Sequence, residues 1–391
     1  MPAPYRLAIV NTHPIQYYSP LYRALAASDD VQGRVFYGWR GEGAYDPGFQ
    51  QDVSWDVPLL NGYPYSFIEN TASDPGTHHF WGIQNPNMVS TITEWGPDVL
   101  LVFGWNYKSH LRLLRHFHDR IPILFRGDST LLDETAGPRK WARRLFLRWV
   151  YSHVDVALYV GQNNRAYFEA HGLDDDQLYW VPHAIDNERF YDTDERAAEE
   201  AASWRRELGL SSEDRVVLFA GKLEAKKAPD LLLDGFLQME SGCTHLFFAG
   251  SGPMEEELRD AADGHPRVHF LGFQNQSRMP VVYRLADLFV LPSRGPGETW
   301  GLAVNEAMAC GCPVLVTDQV GCARDLVDEE NGAVVLADDR VRLHNALNRL
   351  LENDGELEEK GAASRERISE WTIEAAADRT LKAVRRVVVS A

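Results

Sequence analysis

The segment from Arg294 to Asp318 constrains the fold most strongly, because it prescribes a loop, a helix and a buried strand in immediate succession. Its start, residues 295–297, contains only glycine and proline and favours an irregular loop. Residues 302–309 are mainly good helix formers, and a glycine follows where a helix C-terminus is expected. Residues 313–317 form the apolar run of a buried strand. This succession of loop, helix and strand predicts one helix–strand unit of an α/β sheet.

The same segment predicts an anion site. Gly301 stands directly before the expected helix, where free N–H groups and the helix dipole would point at a ligand. Two carboxylates, Glu298 and Glu306, bracket this position. Because they would repel phosphate, we expect them to accept hydrogen bonds from hydroxyl groups instead. The pattern therefore fits a ligand with phosphates in the middle and hydroxylated ends, such as a nucleotide-sugar.

Apolar runs followed by loops recur elsewhere, for example at residues 7–10 and 99–103. The first run leads through a loop into an amphipathic helix, which suits a doubly wound α/β domain that binds ligands at the carboxyl ends of its strands. A chain of 391 residues is expected to form about two domains. We place the N-terminal domain at residues 1–190, a linker region at 191–213 and the C-terminal domain at 214–371.

Composition excludes several classes of function. A net charge of −18 argues against nucleic-acid binding. No apolar run approaches the ~20 residues that a membrane helix needs. The N-terminal stretch is interpreted as a first strand and not as a signal peptide. Since the four cysteines lack zinc spacing, we expect reduced thiols and a cytoplasmic protein. The Asp-x-Asp pattern at 192–194 and the acidic run 174–176 do not follow the end of a buried strand, so no metal site is predicted.

The run ETWGLAVNEAMACGCPVLVTD, residues 298–318, resembles the donor-site signature of retaining GT-B glycosyltransferases of family 4, the glycosyl transferases group 1. The resemblance implies two Rossmann-like, doubly wound α/β domains that face each other across a cleft, with the C-terminal helix, residues 372–391, crossing back onto the first. It implies that Glu298 contacts the transferred sugar and Glu306 the nucleotide ribose. The amides that would assist Glu298 are those of Thr299, Trp300, Gly301 and Leu302.

A second stretch, KLEAKKAP, follows Gly221 and resembles the family's diphosphate clamp, with Lys222 and Lys227 at the cationic positions. The resemblance implies that these two ammonium groups neutralise a departing diphosphate. The alternative is a solvated lysine cluster. By the same resemblance, Gly252 belongs to a donor-side glycine loop and Phe273 to a turn that binds the base.

The acceptor side is less well marked. The loop HPIQYYSP contains His13, which either serves the acceptor or caps the loop. Trp105 ends a strand, where it could stack on an acceptor sugar or belong to the core. Arg126 and Asp128 stand where family relatives often carry a histidine motif. Arg126 could pair with a phosphate and Asp128 with an acceptor hydroxyl, or Asp128 could cap the next turn.

Residues 139–150 form a basic amphipathic helix in an otherwise acidic chain. Its cations are Arg139, Lys140, Arg143, Arg144 and Arg148, and its apolar residues at helical spacing are Trp141, Leu145, Phe146 and Trp149. The helix could lie on an anionic bilayer, which would make the protein peripheral on the inner face of the plasma membrane. The alternative, which we favour, is a helix whose apolar residues pack in the core and whose basic face is solvated.

Together these patterns predict a retaining transferase that moves a sugar from a UDP- or GDP-sugar to a saccharide or lipid-linked saccharide acceptor. Lysines and amides would supply the positive charge, so neither a metal nor a cofactor is expected. Two rivals remain. A GT-B nucleotide-sugar epimerase would act on the donor without an acceptor. A non-catalytic sugar-binding protein of the export type would be expected to carry a signal peptide.

Overall fold

The computed structural model describes residues 3–41, 45–134, 137–191, 193 and 195–390. The strands in this part of the chain, numbered in order, are β1 Tyr5–Asn11, β2 Val31–Tyr37, β3 Tyr45–Asp46, β4 Gln51–Asp52, β5 Tyr65–Phe67, β6 Val99–Phe103, β7 Ile123–Arg126, β8 Val156–Tyr159, β9 Leu178–Trp180, β10 Arg215–Ala220, β11 Thr244–Ala249, β12 Val268–Gly272, β13 Leu288–Leu291, β14 Val314–Thr317 and β15 Gly332–Val335.

The α-helices are α1 Ser19–Ala26, α2 Met88–Trp95, α3 Lys108–Phe117, α4 Pro138–Tyr151, α5 Gln162–Ala170, α6 Asn187–Tyr191, α7 Arg196–Glu207, α8 Pro229–Leu237, α9 Glu255–Ala262, α10 Met279–Arg284, α11 Leu302–Ala309, α12 Ala323–Leu326, α13 Arg340–Leu351, α14 Asp354–Ile368 and α15 Ile373–Ser390. Short 3₁₀ turns lie at Phe80–Gly82, Asp175–Gln177 and Ala225–Lys227. The helix predicted at residues 302–309 is confirmed as α11.

The chain divides into two compact units. Unit 1 comprises Met1–Glu42, Pro58–His183 and Ile373–Ala391, and it is built on a sheet with the order β5-β2-β1-β6-β7-β8-β9. Every strand pair in this sheet is parallel. All five residues of β6 are buried, as expected for a parallel strand covered on both faces.

Unit 2 comprises Gly43–Val57 and Ala184–Thr372, and its main sheet has the order β12-β11-β10-β13-β14-β15. These pairs are also parallel. In both sheets the winding reverses beside the first strand, between β1 and β6 and between β10 and β13. The predicted doubly wound α/β architecture is therefore confirmed, and ligands are expected at the carboxyl ends beside these reversal points.

The packing of three segments bears on where the two units begin and end in the sequence. The C-terminal helix α15 packs in unit 1, where it contacts α1 and where Arg385 pairs with Asp30. Residues 184–213, which the sequence boundaries assign to the first domain and the linker, pack in unit 2. The hairpin β3–β4 also packs in unit 2, although it lies between two strands of unit 1 in the sequence. Nothing local in the sequence indicates this last placement.

In the part of the chain that the structure describes, no helix has the length and apolar character needed to span a bilayer.

Candidate functional site

The carboxyl ends of β10, β11 and β12 form a closely packed edge of backbone loops in unit 2. The N–H of Gly221 donates to the carbonyl of Ala249, and the N–H of Gly250 donates to the carbonyl of Gly272. A Cβ atom on Gly250 would lie 1.9 Å from the carbonyl oxygen of Gly221, so only glycine fits there. This close approach fixes the loop that carries Lys222 and Lys227 relative to its neighbours.

Lys227 and Glu298 meet at this edge. The Lys227 ammonium donates to Glu298 Oε2 at 2.6 Å, and the Ser293 hydroxyl donates to the same oxygen at 3.2 Å. The side chains of Lys227 and Glu298 are only 14% and 9% exposed. The two loops are also joined directly, since the N–H of Arg294 donates to the carbonyl of Lys226 at 2.9 Å. The structure thus brings together a cation and a carboxylate that lie far apart in the sequence.

Lys222 lies on the same loop and has a different partner. Its ammonium donates to both carboxylate oxygens of Asp46, at 2.8 and 3.0 Å. Both side chains remain about one-third exposed. Each lysine of the predicted clamp is therefore neutralised by a carboxylate, Lys227 by Glu298 and Lys222 by Asp46.

The N-terminus of α11 begins beside this pair. Gly301 precedes the helix with φ = 94°, a left-handed conformation that favours glycine, and a Cβ there would lie 2.8 Å from Val320. The segment after β14 supports the loop, because the N–H of Gly321 donates to the carbonyl of Glu298 at 3.0 Å. Thr299 and Leu302 are partly exposed at this turn. Amides at this tip can stabilise an anion.

Two donor-side residues are buried in the protein interior. The Trp300 indole donates to Asn305 Oδ1 at 2.9 Å and packs on Trp371, so its side chain supports the loop. Glu306, on the second turn of α11, accepts from the Tyr283 hydroxyl at 2.7 Å. Tyr283 was not singled out from the sequence, because a tyrosine in an apolar helix is indistinguishable there from a core residue.

Gly252 and Phe273 lie on the loops after β11 and β12. Gly252 has φ = 157°, and a Cβ there would lie 2.6 Å from the carbonyl oxygen of Leu223. Phe273 is half-buried, and its ring lies 5.0 Å from that of Phe49. Both therefore belong to the same edge as the lysines.

In unit 1 a cavity of about 360 Å³ opens at the carboxyl ends of β6 and β7. Its lining includes Trp105, Tyr107, Asp128 and Arg143. Two residues named from the sequence, Trp105 and Asp128, thus share one cavity. Arg143 belongs to α4 and was noted only as part of a basic helix. A carboxylate, a cation and aromatic faces are groups that bind hydroxylated or anionic ligands.

Arg126 and His13 lie elsewhere in unit 1. The buried Arg126 guanidinium donates to the carbonyls of Val181 and Pro182, at 3.2 and 2.9 Å. These two hydrogen bonds fix the segment that follows β9. His13 Nδ1 lies 2.9 Å from the Thr12 hydroxyl. Burial lowers the pKa of His13 to about 4, so its ring is neutral at pH 7. Neither residue lines the cavity that holds Trp105 and Asp128.

Helix α4 exposes its apolar residues. Trp141, Leu145, Phe146 and Trp149 are 70%, 67%, 42% and 41% exposed. The buried face carries Leu147, Val150 and Tyr151 instead. The expectation that the four apolar residues pack in the core is therefore wrong. Two of the cations, Lys140 and Arg144, pair with Glu134 at 2.8 and 2.9 Å. Arg139, Arg143 and Arg148 remain exposed around the apolar stripe.

Among the described residues, one group of side chains lies close enough to hold a metal ion, namely Asp74, His78 and His79 on the surface of unit 1. His78 Nε2 and His79 Nε2 lie 3.0 and 3.3 Å from Asp74 Oδ2. His79 Nδ1 accepts from the N–H of Trp81, so Nε2 is the ring nitrogen that faces Asp74. Hydrogen bonds within the cluster therefore account for its geometry. Asp192 and Asp194 lie outside the described residues.

Comparison with known proteins gives a family match for part of the chain. Residues 200–369 match the family model described as Glycosyl transferases group 1. Over 243 residues the chain is 29% identical to the D-inositol 3-phosphate glycosyltransferase of Nocardia farcinica, covering 59% of this chain and 52% of that protein. The chain spans about half the length of the curated relatives it matches.

Solved structures match nearly the whole chain. The sucrose-phosphate synthase of Thermosynechococcus elongatus superimposes with a TM-score of 0.73 at 18% identity, covering 99% of this chain and 100% of that one. The Anabaena protein HepE in complex with UDP-glucose gives 0.67 at 17% identity, covering 97% and 100%. At such identities the likeness concerns the fold, and it confirms the predicted GT-B architecture.

Proposed function

We propose that this protein, whose residues 200–369 match the group 1 glycosyl transferases and whose fold is GT-B, is a retaining glycosyltransferase. It would move a sugar from a UDP- or GDP-sugar to a saccharide or lipid-linked saccharide. The single observation that carries the proposal is the meeting of Lys227 with Glu298 beside the N-terminus of α11. A structural neighbour that holds UDP-glucose supports this class of donor.

The proposed chemistry uses groups at the carboxyl edge of the unit 2 sheet. Lys222, Lys227 and the amides at the tip of α11 would stabilise the charge that develops on the departing diphosphate. Glu298 would hold a hydroxyl of the transferred sugar, and Glu306 the ribose. The acceptor hydroxyl would attack the face that the diphosphate leaves, and its proton would pass to the diphosphate. Because lysines and amides supply the charge, the reaction would proceed without a metal or cofactor.

A thermal-shift screen with UDP-, GDP- and ADP-sugars tests the donor assignment. A sugar nucleotide present at about 100 times its Kd should stabilise the protein by about 2.7 kcal/mol, because it binds only the folded state. Glu306→Gln should reduce this shift, since the carboxylate is the expected ribose ligand. Glu257→Gln removes a carboxylate from the exposed surface of α9 and should leave the shift unchanged.

If none of these sugar nucleotides raises the melting temperature, the donor assignment fails. Interconversion of a bound sugar nucleotide in the absence of any acceptor would instead identify an epimerase. EDTA should change neither the thermal shift nor the transfer activity.

The acceptor proposal rests on unit 1. The cavity with Trp105 and Asp128 has Arg143 of α4 in its lining, and the Phe146 ring lies 5.4 Å from the Trp105 ring. The exposed apolar stripe of α4 therefore adjoins the cavity. An exposed aromatic stripe flanked by arginines is typical of helices that lie in a membrane interface. We infer that the acceptor is presented from an anionic lipid surface on which α4 lies.

Cosedimentation with vesicles of equal parts phosphatidylglycerol and phosphatidylcholine tests this membrane contact. Changing Arg139, Arg143 and Arg148 to glutamine should weaken binding by about 3 kcal/mol, or about a hundredfold, at ~1 kcal/mol for each cation near the surface. Trp141→Ser with Leu145→Ser should weaken binding to these vesicles as well.

The matched control for the apolar change is Val341→Ser, which alters a side chain of similar exposure on α13 of unit 2. It should bind vesicles like the unchanged protein. Equal binding by all variants would contradict a membrane contact through α4, and equal binding to vesicles of phosphatidylcholine alone would contradict the requirement for an anionic surface.

A further inference from the structure

Residues 45–57, called the strap below, lie across the carboxyl ends of three strands of the unit 2 sheet. The strap contacts the loops after β10, β11 and β12 through hydrogen bonds from Lys222, Ser251 and Asn275. Ligands of doubly wound folds bind at this edge of the sheet. The strap therefore occupies the edge of the sheet at which a nucleotide-sugar would bind.

The strap presents to these loops the same kinds of chemical group that a nucleotide would present. A carboxylate, that of Asp46, accepts from the Lys222 ammonium with both oxygens, at 2.8 and 3.0 Å. A carbonyl oxygen, that of Phe49, accepts from the Ser251 hydroxyl at 2.8 Å. An aromatic ring, also of Phe49, packs edge-on against Phe273 with its centroid 5.0 Å away.

The far end of the strap is held by hydrogen bonds to the loop after β12. Asn275 Nδ2 donates to the carbonyl of Ser54 at 2.8 Å, and the N–H of Ser277 donates to Asp56 Oδ1 at 3.0 Å. The Trp55 ring lies 6.2 Å from the Phe273 ring. These contacts depend on exposed polar groups, so they can open without disrupting the core.

The near end of the strap fits Lys222 closely. A Cβ on Gly48 would lie 2.4 Å from the Lys222 side chain, and the Lys222 ammonium lies 5.0 Å from the centre of the Phe49 ring. Burial alone would raise the pKa of Asp46, but the hydrogen bond and the charge of Lys222 hold it below its usual value. Asp46 is thus an anion at neutral pH and cancels the charge that a phosphate would otherwise meet.

We propose that the strap is an autoinhibitory cover, in which the Asp46 carboxylate takes the place of a donor phosphate on Lys222 and is displaced when a diphosphate binds. The inference rests on the proposed function, because it assumes that the two lysines bind diphosphate. Donor binding then includes an exchange of anions on Lys222 and a movement of the strap away from Phe273.

Calorimetric titration of the full chain with inorganic pyrophosphate tests the exchange. Asp46→Asn keeps the shape of the side chain and removes its charge, so this variant should bind pyrophosphate at least tenfold more tightly than the unchanged protein. The matched control is Asp52→Asn, which removes a carboxylate from the exposed side of the same hairpin. It should bind pyrophosphate as the unchanged protein does. Adding Lys222→Ala to Asp46→Asn should abolish the gain.

The outcomes distinguish a failure of the strap proposal from a failure of the proposed function. If pyrophosphate binding depends on Lys227 but Asp46→Asn gives no gain or weakens it, the strap proposal is overturned while the proposed function stands. If neither the unchanged protein nor Asp46→Asn binds pyrophosphate or UDP, and Lys227→Ala does not change the transfer activity, both the strap proposal and the proposed function are overturned.

A second measurement does not use Asp46→Asn, so it tests the strap proposal even if that variant fails to fold. The difference in tryptophan emission between the unchanged protein and Trp55→Phe reports the surroundings of Trp55. Pyrophosphate at saturation should shift this difference signal to longer wavelength, as Trp55 leaves Phe273 and meets water. An unchanged signal at saturation would overturn the strap proposal.

Discussion

Replacing Lys227 by alanine should lower the turnover of sugar transfer by about a hundredfold or more, the usual effect of removing one donor that stabilises developing negative charge. The Lys227 ammonium is mostly buried and lies 2.6 Å from Glu298 Oε2, so it is positioned at the proposed reaction centre. Its charge is needed most when the sugar–phosphate bond breaks. The loss should therefore fall mainly on kcat, with a smaller change in KM.

The neighbouring lysine supplies the control. Lys226 lies on the same 3₁₀ turn, pairs with Glu224 at 3.2 Å and is more exposed than Lys227. Lys226→Ala removes the same charge and should retain most of the activity. Steady-state kinetics with the donor found in the thermal-shift screen would measure both variants. Undiminished turnover in Lys227→Ala would remove this lysine from the mechanism.

Gly250→Ala should destabilise unit 2 by about 3 kcal/mol or more. Gly250 has φ = 142°, a conformation that costs other residues energy, and its added Cβ would lie 1.9 Å from the Gly221 carbonyl oxygen. Because the obstruction is backbone, it cannot be relieved by a side-chain rotation. The loops after β10 and β11 would have to separate, so nucleotide binding should weaken as well.

Urea denaturation measures this effect. Gly242→Ala is the matched control, since Gly242 lies near the other end of β11, has no atom within 4 Å of an added Cβ and does not have a positive φ. It should change the free energy of unfolding by less than about 0.5 kcal/mol. Equal stability of the two variants would contradict the close loop packing on which the geometry of the site depends.

The parts of the fold that the sequence predicted well are those set by neighbours in the chain. Helix α11 begins after Gly301 and ends before Gly311, and both glycines have positive φ. The doubly wound sheets follow from apolar runs that are buried on both faces. The family resemblance assigned Lys227 and Glu298 to one donor site, because the loop and the helix start that carry them both contain recognisable motifs. Their direct contact was not predicted.

The parts that the sequence did not predict depend on contacts between distant segments. Asp46 and Lys222 are 176 residues apart, and no local pattern marks a hairpin that packs outside its own sheet. Helix α4 shows another limit. Its periodicity indicates an apolar stripe but not which side of the helix meets the core, and the core side carries Leu147, Val150 and Tyr151. Arg126 is a third example, since its partners are main-chain carbonyls beyond β9.

The position of α15 in unit 1 has a consequence for biosynthesis. Helix α1 contacts a helix that is translated only after all of unit 2. On the ribosome, unit 2 can therefore complete its core while unit 1 still lacks helix α15, which packs on α1. Nascent chains stalled before residue 373 should carry a folded second half and an aggregation-prone first half, so chaperone demand should centre on the part of the protein that is synthesised first.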